Sequence, residues 1–259
     1  MIPIKTPHEI DRMRASCKLA SNILEELSAL LCPGVTTRDV DQSAAKLMEL
    51  AGCRSAFLGY RQFPGHICIS VNDEVVHGIG SSRRIQYGDI VKLDIGVILN
   101  GFVGDTAATI PVGVVNDDVQ RLLGVTEDAL YKGIENAREG RRLGDLCAAI
   151  QDEVESSGFS VVKEFVGHGV GRQLHEEPQI PNYRTSGATA KLRAGMTLAI
   201  EPMVNLGRAA VKVLDDDWTV VTADHSPSAH FEHTVLVTKG EPEILTWREK
   251  TSSKLKARW

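Results

Sequence analysis

Residues 84–94 read RIQYGDIVKLD, and residues 191–201 read KLRAGMTLAIE. At an offset of 107, both stretches contain a basic residue, an aliphatic residue, a glycine and a hydrophobic run that ends in an acid. A second match at an offset of 106 aligns four residues of the first half with four of the second, namely Gly34, Asp39, Val40 and Gly52 with Gly140, Asp145, Leu146 and Gly158. Because two separate segments share nearly one offset, the sequence predicts an internal duplication with two copies.

Each copy is predicted to place helices before strands. The first helix begins at the capping sequence Thr6-Pro7-His8-Glu9 and continues through apolar residues at helical spacing until Pro33-Gly34. The second helix is expected from Thr37 to Leu50. Residues 90–99 then alternate like a strand, and Asn100-Gly101 follows as a hairpin turn. Lys92, Asp94 and Gly96 are expected on the strand face opposite to Val91, Leu93, Ile95 and Val97.

This order of elements predicts an α+β fold in which helices cover a largely antiparallel sheet and two pseudo-symmetric halves form one unit. In such a unit Asp94 and Glu201 are symmetry mates, and they can converge at the pseudo-twofold axis. No Gly-, Ser- or Pro-rich linker separates the halves. We therefore expect a single domain over residues 1–259, with halves of about 1–115 and 116–250.

The composition excludes several classes of protein. The chain has 259 residues, 42% of them hydrophobic and 24% charged, which excludes a disordered or collagen-like protein. The net charge of −5 argues against readout of nucleic acid, and the terminal residues Lys250, Lys254, Lys256 and Arg258 are predicted to be a solvated tail. No apolar stretch reaches the about 20 residues that cross a membrane or resembles a signal peptide, so we expect a cytoplasmic protein. The five cysteines are expected to be reduced and mostly buried.

Four acidic residues interrupt or flank hydrophobic strands, and they are Asp94, Asp105, Glu201 and Glu232. A single such acid is usually explained by an exposed strand face or a structural ion pair. Four buried carboxylates instead need protons, cationic partners or metal ions. The hairpin turn can place Asp94 and Asp105 on neighbouring strands, where both can bind one ion. Two divalent ions balance four negative charges, and bridging carboxylates commonly hold such ions about 3.5–4 Å apart.

Three histidines lie outside this acidic set, and two of them, His77 and His175, are candidates to handle protons or stabilise an oxyanion. His168 lies in the stretch GHGVG at residues 167–171, which predicts a buried imidazole, either a core histidine or a metal ligand. His175 follows seven residues later, and His77 follows two valines in the first half. A donor set of carboxylates and an imidazole without thiolates favours Mn, Fe(II), Co or a catalytic Zn pair over structural zinc.

These residues resemble the type I methionine aminopeptidases over nearly the whole chain. The most specific motifs are GHGVG at 167–171, HEEP at 175–178, IEPM at 200–203 and FEHT at 231–234. The resemblance implies the pita-bread fold, whose pseudo-twofold symmetry agrees with the duplication. It also implies two divalent metal ions per chain, Co, Mn, Fe(II) or Zn. Asp94 and Asp105 are then expected to hold one ion, His168 to bind the other, and Glu201 and Glu232 to help hold the pair.

The resemblance further implies the reaction, which is metal-assisted hydrolysis that removes the initiator methionine from nascent proteins and peptides, with a preference for a small second residue. Glu201 is then the candidate for proton transfer. His175 is expected to contact the scissile carbonyl and its developing oxyanion, and His77 to lie near the scissile nitrogen. Both histidines are therefore expected catalytic and substrate-contacting residues.

The methionine pocket that the resemblance implies is apolar and partly aromatic, because an unbranched thioether is recognised by shape and soft contacts. Tyr60, Phe63, Cys68 and Trp218 stand at matching positions. Taken one at a time, each of these residues is more often part of a core than of a pocket.

Three positions depart from the pattern of the family. Leu174 stands where bacterial members often carry Phe, Gly96 where Thr is common, and His230 where Gln is frequent. The departures leave the metal-ligand positions intact. They can change the shape of the pocket, the hydrogen bonds made by the ligands and the metal preference.

Two other functions stay open at the level of sequence. Prolidase and aminopeptidase P resemble this family, but they usually carry an additional N-terminal domain, for which the few residues before Thr6 leave no room. A non-catalytic binding module of the same fold is the second alternative, and such relatives usually lose metal ligands. The expected partner is the N-terminal Met of nascent polypeptides, and a transient association with the ribosome is compatible with this role. We expect a monomer that neither reads nucleic-acid sequence nor binds a membrane.

Overall fold

The structure is a computed structural model that describes residues 2–251. Its helices are α1 (Pro7–Leu30), α2 (Thr37–Leu50), α3 (Asp117–Glu135) and α4 (Leu143–Ser156), and a short 3-10 turn covers Tyr60–Gln62. The predicted start of the first helix is confirmed, because the Thr6 hydroxyl accepts from the Glu9 N–H and the Glu9 carboxylate accepts from the Thr6 N–H. The bounds of α2 are those expected, whereas α1 ends three residues before Pro33.

The strands of the described residues are short apart from one long hairpin. In chain order they are β1 (Arg54–Ser55), β2 (Cys68–Val71), β3 (Glu74–Val76), β4 (Ile90–Leu99), β5 (Phe102–Pro111), β6 (Ser160–Val161), β7 (Gly167–Gly169), β8 (Glu176–Ile180), β9 (Thr197–Ile200), β10 (Met203–Asn205), β11 (Val211–Val213), β12 (Val220–Thr222), β13 (Ser228–His230), β14 (His233–Leu236) and β15 (Glu243–Ile244).

Each half contributes one larger sheet. The first has the order β1-β4-β2 with β5 also paired to β4, and the second has the order β15-β14-β9-β7-β8. Two three-stranded sheets, β13-β10-β6 and β11-β12-β3, complete the set among the described residues. The strand pairs are antiparallel, and α1 packs on β4 and β5. The predicted α+β class is therefore confirmed.

The hairpin of β4 and β5 sets the position of the first two acids. Asn100 and Gly101 form its turn with φ angles of 52° and 79°, a conformation that Asn-Gly adopts readily. Gly96 lies opposite Asp105, and Asp94 lies opposite Ala107. Because residues two apart on a strand share a face, Asp94 and Asp105 lie diagonally on the same face of the hairpin, as predicted.

The duplication is visible in the backbone of both halves. Gly34 and Gly140 have φ angles of 98° and 87°, and Gly88 and Gly195 both have a φ of 91°. Two isolated bridges correspond as well, since Thr36 pairs with Arg84 in the first half and Arg142 pairs with Lys191 in the second. One hydrophobic core contains residues of both halves, including Leu93 and Leu198.

The environment of Lys92 differs from the simple picture of a polar strand face. Its side chain does point away from Leu93, but that face is covered, and Lys92 is only 1% exposed. The ammonium donates to the carbonyl oxygens of Asn72 at 2.6 Å and Ser228 at 2.8 Å. The alternation therefore predicted the direction of the side chain but not its burial, because residues distant in sequence cover the second face.

The terminal basic cluster is only partly described. Lys250 is not a freely solvated residue, because its ammonium lies 2.8 Å from Asp128 Oδ1 and 4.1 Å from the ring centroid of Tyr131. Lys254, Lys256 and Arg258 lie outside the described residues. Of the five cysteines, which are free thiols, only Cys32 is exposed. Within residues 2–251, no helix is both long and apolar enough to cross a membrane.

Candidate metal centre

The four predicted acids lie on one strand pair from each half. Asp94 and Asp105 lie on β4 and β5. Glu201 directly follows β9 and Glu232 directly precedes β14, and these two strands are paired with Ile200 opposite His233. The fold therefore brings a pair of carboxylates from each half to one cavity, where Asp94 and Glu201 converge as the duplication predicted.

The carboxylates surround His168. One ligand atom from each of Asp105, His168 and Glu232 lies within 4.8 Å of the other two. The Nε2 atom of His168 is 3.4 Å from Glu201 Oε1 and 3.8 Å from Asp105 Oδ2. Asp94 and Glu201 line the same cavity as these three residues. The structure thus brings together the five residues predicted as metal ligands.

The residues present fit divalent metal ions. Asp105 Oδ1 and Glu232 Oε1 are buried and have no hydrogen-bond partner within residues 2–251. Buried oxygens without a partner are compatible with binding a cation. Burial raises the pKa of Asp94 to about 7 and that of Glu201 to about 8. Burial, reinforced by repulsion among the carboxylates, raises the pKa values of Asp105 and Glu232 well above their usual range. The oxygen-rich set with one imidazole suits the borderline and hard divalent ions.

The glycines around His168 allow its strand to pack tightly. A Cβ atom at Gly167 would lie 2.5 Å from the carbonyl oxygen of Ala199, and one at Gly169 would collide with the carbonyl of Glu177. The His168 Nδ1 atom lies 2.9 Å from the Gly169 carbonyl oxygen, so an Nδ1–H donates there and leaves Nε2 with a lone pair that is free to bind a cation. Burial lowers the pKa of His168 to about 3, which keeps the imidazole neutral.

The other two predicted histidines lie at the walls of the cavity. His175 packs against His168 with ring centroids 4.3 Å apart, and its Nδ1 atom is 2.7 Å from the Tyr60 hydroxyl. His77 follows β3 with a φ of 61°, an uncommon conformation for a residue with a side chain. Burial lowers the pKa values of both, that of His77 to about 4, so both are neutral near pH 7.

The cavity has a volume of about 930 Å³ and an aromatic wall. The rings of Phe63 and Trp218 meet edge to face with centroids 5.0 Å apart. Cys68 lies opposite Asp94 in the strand register, and Tyr60 lines the same cavity. The four predicted pocket residues therefore surround one space whose floor carries the carboxylates.

One of the three departures from the family pattern, Gly96, has a packing explanation. At Gly96 a Cβ atom would lie 2.5 Å from the Phe57 ring, so Phe57 fills the space that a larger residue at 96 needs. Leu174 is buried and lines the cavity. His230 is 1% exposed and stands behind Glu201, with its Nε2 atom 3.5 Å from Glu201 Oε2.

Sequence reasoning missed a buried cation beneath the site. Arg248 donates to the Thr106 hydroxyl at 2.8 Å, to the Ala107 carbonyl at 2.6 Å and to the Glu232 carbonyl at 3.3 Å. It thereby joins the strands that carry Asp105 and Glu232. None of the motifs quoted above contains Arg248, and its partners are mainly backbone atoms, so no signal in the sequence indicated its position.

The N-terminal segment also reaches the site, which the sequence did not predict. The Lys5 ammonium lies 2.6 Å from Glu176 Oε2, and both side chains are at least nine-tenths buried. Glu176 in turn accepts from the N–H groups of Arg172 and Gln173. This buried ion pair anchors the loop that carries His175.

Comparison with known proteins identifies relatives of this arrangement. The model of metallopeptidase family M24 matches residues 11–239. Methionine aminopeptidase 1 of Bacillus subtilis is 50% identical over 246 residues, which cover 95% of this chain and 99% of that protein. The crystal structure of methionine aminopeptidase from Thermotoga maritima is similar with a TM-score of 0.93 at 46% identity, covering 96% of this chain and 100% of that one.

More distant structures share the fold. Prolidase from Pyrococcus furiosus is similar with a TM-score of 0.77 at 25% identity, and the match covers 95% of this chain but 66% of that one. Both the score and the identity are lower than for the Thermotoga enzyme. The pita-bread fold is therefore confirmed, and the prolidase alternative is not favoured.

Proposed function

The chain belongs to the methionine aminopeptidases of metallopeptidase family M24, and on this premise we propose how its residues release an N-terminal methionine. The protein is a metal-dependent hydrolase that removes the N-terminal methionine of polypeptides. The observation that carries the residue assignment is the approach of Asp105, His168 and Glu232 within 4.8 Å at the floor of the aromatic cavity.

The family implies divalent metal ions, and the buried cluster of Asp, His and Glu is compatible with them. We propose two ions per chain, of Co, Mn, Fe(II) or Zn. Asp94 and Asp105 would hold one ion and His168 the other, with Glu201 and Glu232 helping to hold both. The unpartnered oxygens of Asp105 and Glu232 support this assignment. When bound, such ions activate a water molecule and polarise the scissile carbonyl.

The residues around the ions have distinct proposed roles. Glu201 accepts a proton from the attacking water and passes it to the leaving amine, because its Oε2 atom is not the oxygen next to His168 Nε2. His175 donates to the carbonyl oxygen as negative charge develops there, and the Tyr60 hydroxyl 2.7 Å from Nδ1 orients its ring. His77 stands near the scissile nitrogen, held by its packing against Phe165 at 5.3 Å.

The apolar wall is the proposed site of the methionine side chain. Tyr60, Phe63, Cys68 and Trp218 offer ring edges and a thiol, which suit a flexible thioether. We propose a preference for a small residue after methionine, because the second side chain must pass between this wall and the two histidines.

The family also supports proposals for the domain organisation, the location and the partners of the protein. We propose a single catalytic domain with halves of about 1–115 and 116–250, supported by the core that both halves share. We propose that the protein acts in the cytoplasm, as a monomer, on the N-terminal Met of nascent polypeptides. A transient association with the ribosome is compatible with that role, whereas nucleic-acid readout and membrane attachment are not part of it.

Peptide hydrolysis tests the proposal directly. The protein, loaded with Mn or Co, is incubated with Met-Ala-Ser, Met-Leu-Ser and an Ala-Pro peptide, and the released amino acids are quantified by mass spectrometry. We expect release of Met from Met-Ala-Ser well above that from Met-Leu-Ser, and loss of release in Glu201→Gln. Preferential cleavage of the Ala-Pro peptide would contradict the substrate assignment, and a folded, loaded protein that is inert on all three would favour the binding module.

A further inference from the structure

His230 is a buried imidazole that the proposed function leaves unused. It is 1% exposed, and neither ring nitrogen has a hydrogen-bond partner within residues 2–251. An unpaired buried polar group destabilises the folded state, so such groups are usually kept for a reason. One polar neighbour is informative, because Glu201 Oε2 lies 3.5 Å from His230 Nε2.

Glu201 therefore lies between two imidazoles. Its Oε1 atom is 3.4 Å from His168 Nε2, and its Oε2 atom is 3.5 Å from His230 Nε2. Oε1 and His168 Nε2 are placed to bind the same ion, so Oε2 is the oxygen left to handle a proton. A separation of 3.5 Å is slightly longer than a good N–H···O hydrogen bond, and contacts of this kind shorten when a site is loaded.

The backbone of His230 is fixed in this position. The Thr109 hydroxyl donates to the His230 carbonyl at 2.8 Å and accepts from the His230 N–H at 2.9 Å. On its other side His230 pairs with Met203, two residues after Glu201. Among the described residues, His230 is not one of those that line the cavity, so it reaches the reaction through Glu201 and not by touching substrate.

We propose that His230 is a positioning residue whose Nε2–H donates to Oε2 of Glu201 and holds the proton-transfer oxygen toward the scissile bond. This inference rests on the proposed role of Glu201. A neutral imidazole carries one N–H, so the Nε2–H tautomer supplies the donor while Nδ1 stays an acceptor. The amide of Gln, frequent in the family at this position, also supplies an N–H donor, which explains why the two residue types can replace each other.

The test compares His230→Leu with His230→Gln in the full, metal-loaded protein. Removal of the donor in His230→Leu is expected to lower kcat on Met-Ala-Ser about 10- to 100-fold, while KM changes less than about twofold. His230→Gln is expected to restore kcat to within a few fold of the wild type. His233→Leu is the matched control, because it removes a neighbouring buried imidazole that binds Thr246 and not Glu201.

Metal binding separates positioning from ligation. The number of Co(II) ions bound and the Co(II) absorption spectrum are expected to be the same in His230→Leu and wild type, because His230 is not a ligand in this account. Loss of one ion, a changed ligand field, a kcat within about threefold of wild type, or a His230→Gln as impaired as His230→Leu would each overturn the proposal. If His230→Leu does not fold, the ¹⁵N signals of the wild-type His230 ring decide the matter, since an Nδ1–H tautomer contradicts the proposed donation.

The same experiments distinguish a failure of the proposed methionine release from a failure of the proposed role of His230. A loaded wild-type protein that releases no methionine contradicts the proposed function. An active wild type with an unaffected His230→Leu contradicts only the role of His230.

Discussion

The two halves of the molecule build equivalent strand pairs but supply different chemistry. Lys92 in β4 corresponds to Ala199 in β9 at the offset of 107, and each has a partner on the neighbouring strand. The partner is Ser70 in the first half and His168 in the second. His168 faces the metal site, whereas the Ser70 hydroxyl accepts from the N–H of Gly78, which follows His77.

The carboxylates, in contrast, keep the symmetry. Asp94 and Glu201 correspond to each other, and both are partly exposed toward the cavity. Asp105 and Glu232 are 3% and 2% exposed and lie beneath them. The comparison teaches that the duplication accounts for the charge of the proposed metal site. Three imidazoles near these carboxylates, His168, His175 and His230, come from the second half, and we propose that proton transfer takes place on that side.

The largest effect is expected from the two corresponding acids. Glu201→Gln should lower kcat about 10³-fold, because it removes proton transfer as well as a ligand, and excess metal should not restore it. Asp94→Asn should lower metal affinity, so that excess Mn recovers part of its activity. Activity assays across a Mn titration check both variants, and equal recovery of the two would break the proposed asymmetry.

His175 and Tyr60 test whether the first half only supports the catalytic side chains of the second. His175→Ala should lower kcat about 10²- to 10³-fold, since it removes the donor to the developing oxyanion. Tyr60→Phe keeps the ring that lines the pocket and loses only the hydroxyl at 2.7 Å, so we expect a decrease of a few fold. Steady-state kinetics on Met-Ala-Ser measure both; a Tyr60→Phe as impaired as His175→Ala would give the tyrosine a direct role.

Arg248 joins the ligand strands of the two halves, and its removal should weaken both stability and metal binding. Arg248→Met leaves buried carbonyl oxygens without a donor, which is expected to lower the free energy of unfolding by about 2–3 kcal/mol. Metal affinity should fall about 10-fold because Asp105 and Glu232 lose a shared anchor. Urea unfolding and metal titration measure these effects.

A surface arginine provides the control for Arg248. Arg184 forms an ion pair with Asp152 in which both side chains are more than half exposed. Arg184→Met should therefore change stability by less than about 0.5 kcal/mol. Equal behaviour of the two variants would show that Arg248 does not hold the strands together.

The wall of the cavity also differs between corresponding positions, Gly96 in the first half and Met203 in the second. Gly96→Thr introduces a side chain where the Phe57 ring lies, and it should lower stability by about 1–3 kcal/mol. Combination with Phe57→Leu should cost less than the sum of the single changes. Thermal unfolding of the four proteins completes this cycle, and strict additivity would mean that the two residues do not compete for space.

The pKa values of the corresponding acids predict how stability varies with pH after the metal is chelated. Asp94 and Glu201 have pKa values of about 7 and about 8 in the folded protein, against ordinary values of 3.8 and 4.5. The folded state therefore retains protons that the unfolded state has released, so the free energy of unfolding falls as pH rises through this range. The lowered pKa of Lys92, about 7, and the lowered pKa values of the buried histidines oppose this trend, so the contribution of Glu201 is measured against Glu201→Gln.

We accordingly expect the free energy of unfolding of the wild type to fall by about 1–2 kcal/mol relative to that of Glu201→Gln between pH 6.5 and 8 in the presence of a chelator. Excess Mn should abolish this loss in the wild type, because bound ions stabilise the ionised carboxylates. Urea unfolding of both proteins at several pH values measures the difference. An equal pH dependence of the two chelated proteins would contradict the burial of the Glu201 charge.

Local patterns in the sequence predicted what local interactions determine. The Asn100-Gly101 turn follows from a backbone conformation that these residues favour, and the glycines beside His168 indicated the close approach of Ala199. The motifs that resemble the family then indicated which side chains meet at the candidate metal site. Each of these features depends on a few neighbouring residues.

Long-range contacts were beyond the reach of the sequence. Lys92 is buried because Asn72 and Ser228 bring carbonyl groups to its ammonium, and nothing near residue 92 specifies them. The partners of Arg248 are likewise backbone atoms on distant strands. His230 was recognised as a departure from the family, but its place behind Glu201 depends on the pairing of β10 with β13.

We propose above that two corresponding strand pairs hold two ions and that only one of these ions contacts an imidazole. Anomalous diffraction from a crystal grown with Mn measures this directly. We predict two peaks about 3.5–4 Å apart, one bound by Asp94 and Asp105 and the other by His168 and Glu201. A single peak, or two peaks of which neither contacts His168, would contradict the account.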